Sequence, residues 1–228
     1  MKDKLLYSEY QPLMDSSNDA IFAYEALMRS TPRINPLAMI DDARNRGVLY
    51  ELDTECITNA IQAYPHSYLK NHYLFLNIFP STIIHEQFEN FITDLLLKFP
   101  NMKEMVVFEI NETHIEENIW GQFVFLKRLA FLKSLGFRIA FDDLSVNRAS
   151  LKKMELLSPD FVKLDPAKSK DLSDSIDKQE LILLFLEFTH EKMKLVLEGI
   201  ETRADLLAAK KLGVPLLQGY YISKPQRL

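Results

Sequence analysis

The chain has 228 residues, 47% of them hydrophobic and 26% charged, which suits one large soluble α/β domain with a sizeable core and excludes a disordered chain. Its net charge of −5 argues against a broad footprint on DNA or RNA, where Lys and Arg must neutralise phosphates. One cysteine, Cys56, cannot form an internal disulfide, MKDKLLYSEY lacks a signal-peptide core, and no run approaches the roughly 20 apolar residues of a membrane span, which together point to the cytoplasm.

In chain order, YSEYQPLM and AIFAYEALMR read as two strands of a hairpin joined by the turn-rich DSSND. Residues 36–64 read as two helices. From residue 70 onward, short β-rich runs alternate with longer amphipathic stretches, the rhythm of βα units around a parallel sheet. The strands predicted there are 72–79, 104–110, 137–143, 161–165, 194–200 and 216–223, apolar runs whose polar residues gather near their C-terminal ends. Helices are predicted over 85–99, 120–136, 175–193 and 203–213, with Gly136 and Gly213 at C-cap positions.

About eight strands and about seven helices match a (β/α)8 barrel better than an open doubly wound sheet. The absence of GxGxxG and GxxxxGK[ST] supports that choice.

In such a barrel the strand C-termini share one mouth. Glu25, Asn77, Glu109, Asp142, Asp143, Lys163, Glu198, Glu201 and Gln218 all fall at or near those ends. Several carboxylates at one place repel one another and call for positive charge, and hard divalent cations such as Mg²⁺ or Mn²⁺ prefer oxygen donors of this kind. The pair Asp142 and Asp143 could reach two metals about 3.5–4 Å apart, an arrangement suited to displacement at phosphorus.

Blander readings also apply. Asp143 taken alone reads as a cap or turn residue, and the five histidines share no metal-like spacing and read as surface or packing residues. Tyr220 and Tyr221 read as strand residues packed on a helix rather than a base-stacking pair, and Trp120 as a core or groove anchor.

The ordered motifs YQPLMD (10–15), YEALMR (24–29), LFLNIFP, FEINET (108–113), IAFDD (139–143), VKLD (162–165), LEGIET (197–202) and LQGYYISKP (217–225) resemble the EAL family of cyclic di-GMP phosphodiesterases from Tyr10 to Pro225. The resemblance implies a single EAL domain over residues 1–228, a barrel with an antiparallel first strand, and hydrolysis of cyclic di-GMP to linear pGpG at a two-metal Mg²⁺ or Mn²⁺ site.

It further implies Glu25, Asn77, Glu109, Asp142, Asp143 and Glu198 as metal ligands. Lys163 would position the attacking water, and Glu198 is the candidate base. Gln11, Arg29 and Gln218 would contact the nucleotide, with Glu112 and Glu201 in support. A homodimer and a regulatory protein partner are implied as well.

Where the family usually reads DDFGTGYSS after the fifth strand, this chain reads DDLSVNRAS (142–150), losing both glycines. That departure keeps two other readings open: a cyclic di-GMP receptor with weak or no turnover that acts through a partner, and a protein-interaction domain that has lost the nucleotide. The retained acidic set favours the enzyme over the interaction domain, while enzyme and receptor differ in whether the altered loop places Asp143 correctly.

Overall fold

The computed structural model describes residues 5–111, 114–142, 148–189 and 192–228. The chain opens with a long antiparallel hairpin, β1 (Leu5–Asp15) and β2 (Ile21–Thr31), followed by helices α1 (Pro36–Asn45) and α2 (Leu49–Ala63). Then come β3 (Tyr73–Asn77), α3 (Pro80–Ile84), α4 (Phe88–Lys98), β4 (Val106–Asn111), α5 (Phe123–Ser134), β5 (Arg138–Asp142), α6 (Arg148–Leu157), β6 (Phe161–Leu164), α7 (Ile176–Thr189), β7 (Lys194–Leu197), α8 (Arg203–Leu212) and β8 (Leu216–Leu217).

The strands close into a barrel in sequence order. β2 to β8 run parallel, and β1 is antiparallel to both neighbours, pairing Met14 with Leu217 where the barrel shuts. The antiparallel first strand is therefore as expected. Near the C-terminus Gln226 bridges to Tyr10, which lashes the chain end to the hairpin.

The inner strands are almost uninterrupted apolar runs because side chains on both faces are buried. Outward-facing residues such as Leu74, Phe108, Phe141 and Leu195 pack beneath the helices. The inward layer takes one residue from each strand: Leu13, Ala23, Phe75, Val107, Ala140, Phe161, Val196 and Leu216.

Helix ends follow local chemistry. Asn35 caps α1 by accepting from Leu37 N, Thr202 caps α8 by accepting from Asp205 N, and Gly213 ends α8 in the left-handed conformation.

Two expectations need correction. The last strand, predicted over 216–223, is only two residues long, because Gly219 packs against the backbone of Ile200 and the chain turns there. The run predicted over 194–200 stops at Leu197, just before Gly199 with φ +70°. Helix α6 carries no separate prediction, since the unusual loop sequence obscures its start. The expected residues Glu112 and Asp143 lie outside the described residues.

Candidate active site at the barrel mouth

Side chains two residues apart along a strand share a face, so one step of two toward the mouth from the apolar layer defines the next inward ring. From Ala23 that step reaches Glu25, from Phe75 Asn77, from Val107 Glu109, from Ala140 Asp142, from Phe161 Lys163, from Val196 Glu198 and from Leu216 Gln218. On antiparallel β1 the same step runs backward, from Leu13 to Gln11. An eight-membered apolar layer thus gives way abruptly to an eight-membered polar one.

At the centre of that ring stands Lys163, fully buried. Its Nζ lies 2.5 Å from Glu198 Oε1, 2.7 Å from Glu109 Oε1, 3.1 Å from Glu25 Oε2 and 4.0 Å from Asp142 Oδ1. One cation therefore faces four carboxyl groups.

Glu25 is held on both oxygens, by Gln218 Nε2 at 2.8 Å and Lys163 on one and by Asn77 Nδ2 at 3.3 Å on the other. Asp142 Oδ2 accepts a long hydrogen bond of 3.5 Å from Asn111 Nδ2.

These contacts divide the carboxyl groups electrostatically. Burial opposes ionisation of Glu25, but the Lys163 charge and the donors on Gln218 and Asn77 outweigh it and hold its carboxyl below the usual range. Glu109 goes the other way: burial and the neighbouring Glu25 charge push it well above the usual range despite Lys163. Burial likewise raises Glu198 to about 8, against the pull of Lys163. Burial works against the Lys163 charge too, but the surrounding carboxylates overcome it and raise its pKa well above the ordinary value.

The donor set fits a hard divalent cation in kind, since it offers carboxylate and amide oxygens with no thiolate. Among the described residues, three buried oxygens in the ring, Glu109 Oε2, Asp142 Oδ1 and Gln218 Oε1, have no hydrogen-bond partner. Buried oxygens of that kind normally find a partner. Among the described residues no three Asp, Glu, His or Cys side chains are already disposed about one point, the carboxylates being drawn onto Lys163 instead.

The chain matches the EAL domain family model over residues 1–225. It belongs to the EAL domain family. It is 28% identical over 229 aligned residues to the probable cyclic di-GMP phosphodiesterase PdeI of Escherichia coli K12, covering 96% of this chain and 29% of that protein. With the cyclic di-GMP phosphodiesterase PdeF of the same organism it is 26% identical, over 96% of this chain and 30% of the relative.

The chain thus spans about 30% of the length of those curated relatives. A standalone versatile EAL protein from Vibrio cholerae O395, solved with cyclic di-GMP bound, superposes with a TM-score of 0.82 at 25% identity, covering 98% of this chain and 93% of that one. Klebsiella pneumoniae BlrP1, solved with calcium and cyclic di-GMP, superposes at 0.83 with 24% identity over 97% of this chain and 56% of that one; at that identity it bears on the fold alone.

The EAL ring gathers most of the residues singled out in the sequence: Gln11, Glu25, Asn77, Glu109, Asp142, Lys163, Glu198 and Gln218. Gln11 is turned to the chain's end, donating to Ser223 O at 3.2 Å. Arg29 sits where the hairpin rises past the last β3 pairing, and its Nε donates to Glu9 Oε2 at 2.7 Å. Glu201 is exposed and has no hydrogen bond or ion pair to the ring among the described residues.

The reading of Tyr220 and Tyr221 as strand residues packed on a helix is wrong. They stand in the turn after β8, 57% and 45% exposed. Trp120 is buried against Phe125 and Phe141, as an anchor should be. Sequence reading gave no role to Glu9, Asn111, Gly199 or Gly219. Each lies inside or beside a recognised motif, but its role is a contact that spacing does not encode.

Proposed function

We propose that this EAL domain hydrolyses one phosphodiester bond of cyclic di-GMP to give linear pGpG, with Mg²⁺ or Mn²⁺ held at the barrel mouth. The observation that carries the reading is the convergence of Glu25, Glu109, Asp142 and Glu198 on Lys163 in a ring with Asn77. The relatives named as cyclic di-GMP phosphodiesterases support the substrate.

Glu25, Asn77, Glu109, Asp142 and Glu198 would hold the cations, joined by Asp143. Bound there, divalent cations would lower the pKa of a water and neutralise charge on phosphorus-bound oxygens. Lys163, fixed by its carboxylates, orients the attacking water and faces the phosphate with a compact positive charge. Glu198, whose Oε1 lies 2.5 Å from the Lys163 Nζ that would orient the water, is the candidate acceptor of the water proton. Gln11, Arg29 and Gln218 orient the nucleotide, with Glu112 and Glu201 in support of the site.

A receptor with weak turnover is the second reading, favoured by one observation: DDLSVNRAS lacks both family glycines next to Asp142. As part of the first reading we also propose a cytoplasmic homodimer with a regulatory protein partner, consistent with the exposed apolar Ile115 and Phe123.

Incubation with cyclic di-GMP and Mg²⁺ or Mn²⁺, with chromatographic detection of pGpG and a parallel binding measurement, separates the readings. Metal-dependent pGpG that is lost in Glu25→Ala supports the enzyme. Binding without turnover makes the domain a receptor, and neither result leaves the interaction domain.

A further inference from the structure

The inward-facing register has a second end. One step of two from the apolar layer away from the mouth, Phe75 leads to Tyr73, Ala140 to Arg138 and Val196 to Lys194, while on antiparallel β1 Leu13 leads to Asp15. Tyr73, Arg138 and Lys194 line a cavity of about 390 Å³ on the barrel floor, together with Phe22, Asp160, Phe161, Met193 and Lys192. That volume lies in the range of small-molecule sites.

The cavity is basic in an acidic protein. Among the described residues it is lined by three cations, Arg138, Lys192 and Lys194, and one carboxylate, Asp160. Asp160 is already engaged: Oδ2 accepts from Ile139 N at 2.9 Å and Oδ1 lies 3.5 Å from Arg138. Asp15, close enough to feel the Lys194 charge, has its carboxylate committed to Ser17 N and Oγ.

Among the described residues no carboxylate forms an ion pair with Lys192 or Lys194. Two cations are held over rings, Arg138 above Tyr73 at 5.1 Å and Lys194 above Phe22 at 4.9 Å. Arg138 Nε is also buried with no hydrogen-bond partner among the described residues.

A plug that merely sealed the barrel would need the aromatic rings but no surplus of cations. We infer that the floor cavity is a binding site for a small organic phosphate, with Arg138, Lys192 and Lys194 taking the phosphate oxygens. The walls of Phe22, Tyr73, Phe161 and Met193 would take the organic part. The inference does not rest on the reading of the mouth.

Isothermal titration of the full chain with GMP as probe, beside guanosine and inorganic phosphate, tests it. Saturable binding of one GMP per chain is expected, with guanosine silent and inorganic phosphate weaker than GMP. In Lys192→Gln/Lys194→Gln, whose side chains are exposed and whose loss should leave the fold intact, affinity should fall about tenfold or more. Glu25→Ala should bind GMP as the wild type does. Unchanged affinity in the lysine variant, equal binding of guanosine, or loss of binding in Glu25→Ala would each overturn the assignment.

Discussion

Lys163 Nζ and Glu109 Oε1 stand 2.7 Å apart with both residues at 0% exposure, and that buried contact organises the mouth of this EAL barrel. Ions out of reach of water are tolerable only when paired. Here the pairing is lopsided, with four carboxyl groups around one ammonium.

Replacing Lys163 with Met removes the one positive charge inside the ring. Breaking a buried ion set from one side costs about 3–5 kcal/mol. Lys163→Met should therefore unfold several degrees lower than the wild type in the absence of divalent cations, and Mn²⁺ should restore more stability to the variant than it adds to the wild type. Thermal melts with and without Mn²⁺ check this, and turnover should fall at least about a hundredfold.

Asp53, buried in α2, accepts a hydrogen bond from Phe79 N at 3.0 Å, and burial raises its pKa to about 7. Between the ordinary carboxyl value and that value the folded chain keeps a proton that the unfolded chain has lost, so this residue's contribution to stability falls as pH rises through the window. Asp53→Asn keeps an oxygen acceptor and removes the titration. It should flatten the pH dependence of the melting temperature between pH 5 and 8 and raise it by a few degrees at pH 8, on the order of 1–3 kcal/mol.

Gly219 has no room for a side chain, since an added Cβ would lie 2.2 Å from Ile200 O and 2.3 Å from Ile200 N. Its neighbour Gln218 N donates to Leu197 O, and Ile200 N donates to Gln218 O, so this contact sets the spacing of Glu198 and Gln218. Gly219→Ala should lower stability by about 2–4 kcal/mol in denaturant melts and reduce turnover even where the protein stays folded.

Glu9 holds Arg29 through a partly exposed pair at 2.7 Å, with side chains 17% and 22% exposed in the order Arg29, Glu9. Such pairs contribute roughly 0.2–1 kcal/mol. Glu9→Gln should therefore raise KM for cyclic di-GMP about two- to fivefold with little change in kcat, as steady-state kinetics would show. A fall in kcat with KM unchanged would place Glu9 in some other role.

Much of this was legible in the residues because the barrel repeats one device. A period-2 face turns from apolar to polar at the same height on every strand, so Asn77, Glu109, Asp142 and Lys163 declare themselves as the polar ends of apolar runs.

What spacing could not show was contact. The brevity of β8 depends on Gly219 meeting Ile200, and the exposure of Tyr220 and Tyr221 follows from the turn that results. The Arg29 partnership joins strands through the hairpin register, which pairs Glu9 with Leu27 and Tyr7 with Arg29 and so sets Glu9 diagonally across from Arg29. The cations of the floor were hidden for a simpler reason: Arg138 and Lys194 open their strands, where charge reads as an ordinary solvated end.

In the proposed function the carboxylate ring serves a divalent cation in phosphodiester hydrolysis. The most direct test is pGpG formation from cyclic di-GMP by protein stripped with a chelator and then titrated with Mn²⁺. The stripped protein should show no turnover, and added Mn²⁺ should restore it to a saturating level. Turnover that survives chelation, or cyclic di-GMP left intact at saturating Mn²⁺, would contradict that function.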